Sequence, residues 1–411
     1  MSNSGVLMMR VGGEVSVDQL NAALRRVRVR HPALFGGSID GSASFPLSVR
    51  ASRGEVDWIE VAQAELRERW PDRPAVAARF VMLQRDGGCD LLVNLHHDVS
   101  DGMSGMFLMR DLLQALADPE GRLVPVLPSP PISALIPRTA RTNPALRRRV
   151  AFAAAGLRAR VLLAKLRARL ALQRPAQSPA GGEVPLNQQF IILPARLSAP
   201  QTAALVARCK KERVTVHPAV CVAWLRALTS GSGARFGTVS SPVNLRGRLS
   251  QDIGEASGIY MSSVKTRLDC APGRKFWDLA REFKQKLDAE VRDEGLFFGP
   301  LLCARAFSQV PDTDHGVVSK ALFGGPVDYD FSITNVGSIA FPEHSGALRV
   351  EAFYGLVNSS EFERTVTVGT VAGQMSFAYL VRRSLADPAS AKELMERALA
   401  LLVQATDAEV A

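Results

Sequence analysis

The chain lacks any apolar run near the roughly 20 residues of a membrane-spanning helix; a stretch such as Ala398–Val403 is only long enough for part of a core helix. It lacks paired cysteine motifs as well. Cys89, Cys209, Cys221, Cys270 and Cys303 are odd in number and scattered, which argues against a zinc ribbon, a CxxC redox centre and a disulfide framework and predicts reduced, buried thiols. No GxSxG elbow is present to activate a serine. Met1–Arg10 shows no charged leader with a long apolar core and a small-residue cleavage site, so the expectation is a cytoplasmic protein. Between Gly121 and Gly182 there are twelve Arg or Lys and no Asp or Glu. The net charge of +10 is therefore concentrated there and the remainder is close to neutral, which excludes a general nucleic-acid-binding surface.

What is present describes a folded protein. Hydrophobic residues at 47% with 22% charged exclude a disordered chain, and 411 residues are enough for two domains with separate cores. The strand-like Val6–Val11 is followed by a Gly-Gly turn and a helix from Ser16 to Arg30. Ser16 and Gln19 form its capping box, Leu20, Ala23, Leu24 and Val27 recur on one face, and Pro32 stops it after His31. Two apolar runs, 79–84 and 90–96, flank Asp86-Gly87-Gly88 and predict a hairpin, with a helix over Ser104–Ala117 beyond it. A second hairpin, around Ala372-Gly373, and a closing helix over Glu393–Gln404 repeat that arrangement. Ser198-Ala199-Pro200-Gln201 opens another helix, and His217–Leu228 reads as one more. Proline-rich stretches at 124–131 and 174–182 bracket the basic segment. The expected division is 1–125, a connector over 126–185, and 186–411.

The chemistry concentrates in His96-His97-Asp98-Val99-Ser100-Asp101-Gly102. HHxxxDG arises by chance in a chain of this length with a probability on the order of one in a thousand, and here it follows a predicted strand and precedes a predicted helix. A histidine, with an ordinary pKa near 6.5, can take a proton from a hydroxyl, thiol or amine at neutral pH. Neighbours on a strand face opposite ways, so one histidine is expected to act and the other to support it. Gly102 would permit a tight turn. Asp101 could then orient the imidazole, pair with a distant arginine, or simply cap the helix. His97 and Asp101 lie at turn spacing for a metal, but no third or fourth ligand is near, and no metal is expected.

The HHDVSDG run, Arg30-His31-Pro32-Ala33-Leu34 and Val243-Asn244-Leu245-Arg246 resemble the condensation-domain superfamily, which includes chloramphenicol acetyltransferase, wax ester synthases and polyketide-associated acyltransferases. The resemblance spans nearly the whole chain. It implies an α/β fold of two chloramphenicol acetyltransferase-like sandwich subdomains with the active-site tunnel at their interface. It further implies that His97 is the general base, that His96 and Gly102 support it, and that Asp101 is structural and paired with Arg246. Ser332-Ile333-Thr334-Asn335-Val336-Gly337 resembles the Asn-x-Gly element beside that tunnel, with Asn335 supporting its wall or an oxyanion; the alternative is an Asn-containing turn between strands.

The function these residues imply is acyl transfer from a thioester to a hydroxyl of a lipophilic acceptor. The co-substrate would be acyl-CoA, or phosphopantetheine on an acyl or peptidyl carrier protein, with no permanently bound cofactor. Two alternatives use the same motifs: an amide-forming stand-alone condensation enzyme with an amine acceptor, and a non-catalytic relative that binds carrier proteins or lipids. The basic segment Asn143–Gln173 is expected to be a helix whose stripe Leu146, Val150, Ala153, Leu157, Val161, Ala164 and Ala168 places the protein on an anionic membrane surface or an acidic carrier. The competing expectation is that this stripe packs on the protein itself.

Overall fold

The computed structural model describes residues 4–34, 45–68, 70–71, 75–171, 189–308, 310, 318, 321–322, 327–339, 341, 346–358 and 362–407, with the side chains of 164, 165 and 167–171 left out. The N-terminal half runs β1 (Ser4–Gly12), α1 (Val17–Arg30), β2 (Leu47–Ala51), α2 (Asp57–Arg67), β3 (Ala78–Arg85), β4 (Gly88–His96) and α3 (Gly102–Ala117). Short helices α4 (Ile132–Leu135) and α5 (Arg138–Thr142) lead into the long α6 (Pro144–Ala171). Then come β5 (Phe190–Leu197), α7 (Ala199–Lys211), α8 (Val216–Ser232), β6 (Phe236–Asn244), β7 (Met261–Asp269), α9 (Phe276–Arg292) and α10 (Phe298–Phe307). The chain closes with β8 (Phe331–Ser338), β9 (Arg349–Asn358), β10 (Arg364–Val371), β11 (Gln374–Arg382) and α11 (Pro388–Asp407).

Among the described residues the strands form two sheets, ordered β2-β3-β4-β1-β9 and β5-β11-β10-β8-β6-β7. The first four strands of one sheet repeat the pattern of the other. β2 and β3 are parallel while β3–β4 and β4–β1 are antiparallel; β8 and β10 are parallel while β10–β11 and β11–β5 are antiparallel. The expected capping box forms, with reciprocal bonds between Ser16 and Gln19, and the helix start at Ser198 is a second one, closed with Gln201. These starts are local, since each Ser oxygen satisfies a backbone N–H that the first turn leaves open.

Strands at the centre of the molecule are apolar on both faces because both faces are covered. Leu7, Met9 and Val11 of β1 join the core under α1 and α3, whereas Val6 and Met8 join a second core with α2, Tyr354 of β9, and Phe190, Ile192 and Leu380 of the other sheet. A third core lies between the C-terminal sheet and α7, α8, α9 and α11, around Trp224, Phe331 and Phe377. Four of the cysteines are buried and Cys303 is half-buried.

Two expectations need correction. The division at 186–411 fails for β9, which pairs antiparallel with β1 over its whole length and completes the N-terminal sheet. Without it β1 would present an open edge of unpaired backbone groups flanked by apolar side chains, a poor state for the chain to leave uncovered. In α6, Leu146, Val150 and Leu157 are buried against the protein, beside Leu296, Phe297 and Ala306, so the stripe chosen for a membrane or carrier faces inward. The helix does start as read, with Asn143 Oδ1 accepting from Ala145 and Leu146 N–H at 3.0 Å. No helix among the described residues is long and apolar enough to cross a membrane.

Candidate active site

β4 ends at His96, and a turn over 97–99 carries the chain into α3. Two bonds to the His96 carbonyl close that turn, from Val99 N–H at 3.2 Å and Ser100 Oγ at 3.0 Å. The two histidines separate. His96 is buried on the α2 side, with its ring edge-on to Trp70 at 5.5 Å. Burial lowers its pKa and the neighbouring His97 adds to that, against the opposing pull of Asp98. His97 is half-buried and lines a pocket. Its Nδ1 lies 2.6 Å from the carbonyl oxygen of Ser100. A carbonyl only accepts, so Nδ1 carries the hydrogen and the neutral ring keeps its basic lone pair on Nε2.

Asp101 caps α3, its Oδ1 accepting from Ser104 N–H at 2.9 Å and Ser104 Oγ at 2.8 Å. It does not bond to His97; its carboxylate is occupied by the other half of the molecule. Arg246 Nη1 donates to Oδ2 at 2.8 Å and Nη2 to Oδ1 at 3.1 Å, while Tyr260 N–H donates to Oδ2 at 3.0 Å. Both side chains are under 10% exposed, and Arg246 also donates to Ser104 Oγ and the Ala256 carbonyl. The pair is a buried, multiply bonded latch between the halves.

Arg30 and His31 form a second latch next to it. His31 Nε2–H donates to Asp111 Oδ2 at 2.9 Å, as does Arg30 Nε, and Glu255 receives Arg30 and Arg110. Burial would raise the Asp111 carboxyl, but the bonds from His31, Arg30 and Arg110 overcome it and hold its pKa at about 2. The segment 246–260 is thereby pinned across α3.

The pocket takes one wall from each half. Gly5, Leu7, Leu95, His97, Ser100, Asp101, Gly102 and Met106 come from the N-terminal half, and Thr334, Val336, Phe353, Gly355, Leu356, Val357 and Thr367 from β8, β9 and β10. It is mostly apolar and encloses about 50 Å³. Gly102 does not serve as a turn glycine: it is the first residue of α3, its φ is not positive, and a Cβ there would meet nothing within 4 Å. Its bare backbone leaves the pocket open, as does Gly5 of β1. Gly105 is the tight one, since a Cβ would come within 2.5 Å of Leu7 and 2.8 Å of Leu95, so it sets how closely α3 approaches the sheet.

Asn335 stands apart from this group. Its Oδ1 accepts from Gly337 N–H at 2.8 Å, and the alternation of β8 gives the pocket wall to its neighbours Thr334 and Val336. Sequence reasoning missed Gly5, Thr334 and Thr367. Gly5 comes beside His97 through the pairing of β1 with β4, and Thr334 and Thr367 through the pairing of β8 with β10 and the packing of β10 on β9.

The family model for the phthiocerol/phthiodiolone dimycocerosyl transferase C-terminus matches residues 187–382. Among solved structures, polyketide synthase associated protein 5 from Mycobacterium tuberculosis is similar over 99% of this chain and 94% of its own, at 18% identity and a TM-score of 0.61. The first condensation domain of the CDA synthetase covers 99% and 92% at 16% identity and 0.65. TRI3 trichothecene 15-O-acetyltransferase from Fusarium sporotrichioides covers 98% and 91% at 11% identity and 0.69. No curated protein matches by sequence.

Proposed function

We propose that this chain, which has the two-lobed fold of condensation domains and their acyltransferase relatives, transfers an acyl group from a thioester to the hydroxyl of a lipophilic acceptor. One observation carries the reading: an imidazole with its Nδ1–H committed to Ser100 stands on the wall of an apolar pocket. In the proposed reaction His97 Nε2 removes the acceptor's hydroxyl proton as the oxygen attacks the thioester carbonyl carbon. Collapse of the tetrahedral adduct breaks the C–S bond, and the departing thiolate recovers the proton from His97. Asp101 and Arg246 act by holding the α3 end of the pocket in place. The thioester would be carried by coenzyme A or by phosphopantetheine on a carrier protein, and the apolar pocket, at about 50 Å³, takes the reacting end of a substrate and not a whole acyl chain. A tunnel admitting donor and acceptor from opposite sides belongs to the same proposal.

The test is a panel of acyl-CoA and acyl-carrier donors with alcohol and amine acceptors, read by intact-mass spectrometry of the products. Ester products are expected, and His97→Ala should lower turnover about 100-fold or more with an unchanged melting temperature. Turnover near wild type in that variant would remove the central role of His97, and amide products alone would replace the hydroxyl acceptor with an amine.

A further inference from the structure

Helix α6 is apolar on two opposite faces. The inner stripe Leu146, Val150, Ala154 and Leu157 is 5% exposed or less and packs against α10 and the turn before it. At about 100° per residue, Phe152, Leu163 and Leu166 fall opposite that stripe, with Leu162 at their border. They are 85%, 45%, 52% and 70% exposed. Single exposed leucines are ordinary on a protein surface, but Phe152 and, three turns on, Leu163 and Leu166 share one helix face with only Ala155 and Ala159 between them, and that face is open to solvent.

The charges on either side select the partner. Arg147 flanks the ridge on one edge and Arg160 on the other, with Arg148 near its start, and all three are exposed, whereas Arg149 stacks on Phe298 of α10. No Asp or Glu occurs anywhere between Gly121 and Gly182. We propose that this outward face of α6 is a docking surface for an anionic lipid bilayer. Phe152, Leu163 and Leu166 would enter the boundary between headgroups and acyl chains, while the arginine stems lie along the helix and carry their guanidinium groups up to lipid phosphates. The absence of acids complements a negatively charged leaflet. An acidic protein would satisfy the arginines as well, but it gives no reason for exposed apolar side chains set among them. The inference stands independently of the acyl-transfer reading, because its test reads binding and not turnover.

The full chain would be co-sedimented with phosphatidylcholine vesicles with and without roughly one third phosphatidylglycerol, at low and high salt. Wild type should bind the phosphatidylglycerol vesicles at least about tenfold more tightly, with partial loss in high salt. Phe152→Ser, Leu163→Ser and Leu166→Ser together should lower that binding about tenfold or more. The melting temperature should hold, since Phe152 is 85% exposed and none of the three belongs to a buried core. Arg147→Gln, Arg148→Gln and Arg160→Gln together should erase the preference for phosphatidylglycerol. In Phe152→Trp, fluorescence should be quenched by brominated acyl chains beyond the wild-type level, a readout that does not depend on the triple variant folding. Equal binding by the ridge variant and wild type, no quenching in Phe152→Trp, or no vesicle binding at all would overturn the proposal. So would a dimer in light scattering that the ridge variant dissolves, or binding to a soluble acidic carrier protein without binding to vesicles.

Discussion

The turns that leave β4 and β11 correspond position by position, and only one of them bears an imidazole. Each strand ends in a long basic side chain or ring, His96 or Arg382, and each is followed by a second, His97 or Arg383. Four residues later an aspartate begins a helix, and three beyond it a serine completes the cap. Asp101 accepts from Ser104 as Asp387 accepts from Ser390. The cap is thus a feature of the repeated hairpin-to-helix unit and says nothing about chemistry. The difference lies in what surrounds it. Asp387 is exposed, and the Ser390 hydroxyl and backbone bonds lower its pKa; Asp101 is buried and holds Arg246. A motif aspartate gains its importance from the partner across the molecule.

The sharpest break of this comparison is in stability. Asp101→Ala leaves the Arg246 guanidinium buried without its counter-charge and should cost about 3 to 5 kcal/mol. Asp387→Ala removes an exposed helix cap and should cost much less. Urea midpoints of the two variants measure the gap, and coincident midpoints would mean that the latch contributes nothing beyond a cap.

Next in size is the response to acid, which compares histidines in the two halves. His217 of α8 is held by Ser241 Oγ at 2.8 Å, and burial pushes its pKa down to about 4. Its neutral form is favoured by folding, so the associated stability is present above the unfolded value near 6.5 and is lost as pH falls from there toward 4. The loss should reach about 3 kcal/mol at most. His96, lowered in the same direction, adds to the same window from the N-terminal half. Denaturation at pH 7 and pH 4.5 checks this: His217→Asn should flatten the dependence, and an unchanged slope would place its cause elsewhere.

The smallest expected effect separates pocket shape from folding. Gly102→Ala should melt like wild type and turn over within about twofold of it, whereas Gly102→Leu should fill the pocket and slow turnover about tenfold or more at the same melting temperature. A fall in melting temperature for Gly102→Ala would show that the backbone there needs glycine after all.

The parts of the protein that sequence alone determined are those whose cause lies within a few residues. Asp86-Gly87 and Ala372-Gly373 sit at the turns of β3–β4 and β10–β11, with φ of +71° and +73° at the two glycines. Ser16, Ser198, Asn143 and Asp101 cap helices because their oxygens reach N–H groups two or three residues on. The HHxxxDG run stood out for the same reason, being local in its spacing and its context. The pairing of Asp101 with Arg246 came from the resemblance, since 145 residues separate them and no local rule connects the two.

Tertiary structure decided the rest, through contacts that cost or gain energy only when distant segments meet. Both faces of β1 are apolar, which announces burial but not that β9 supplies the covering edge. Helix α6 carries two apolar stripes, and periodicity cannot tell which packs inward; Leu296, Phe297 and Ala306 select Leu146, Val150 and Leu157. Strand phase turned Thr334 and Val336, and not Asn335, toward His97. A period of two or of 3.6 residues reports that a face will be buried, but the partner that buries it is fixed by the packing of the whole chain.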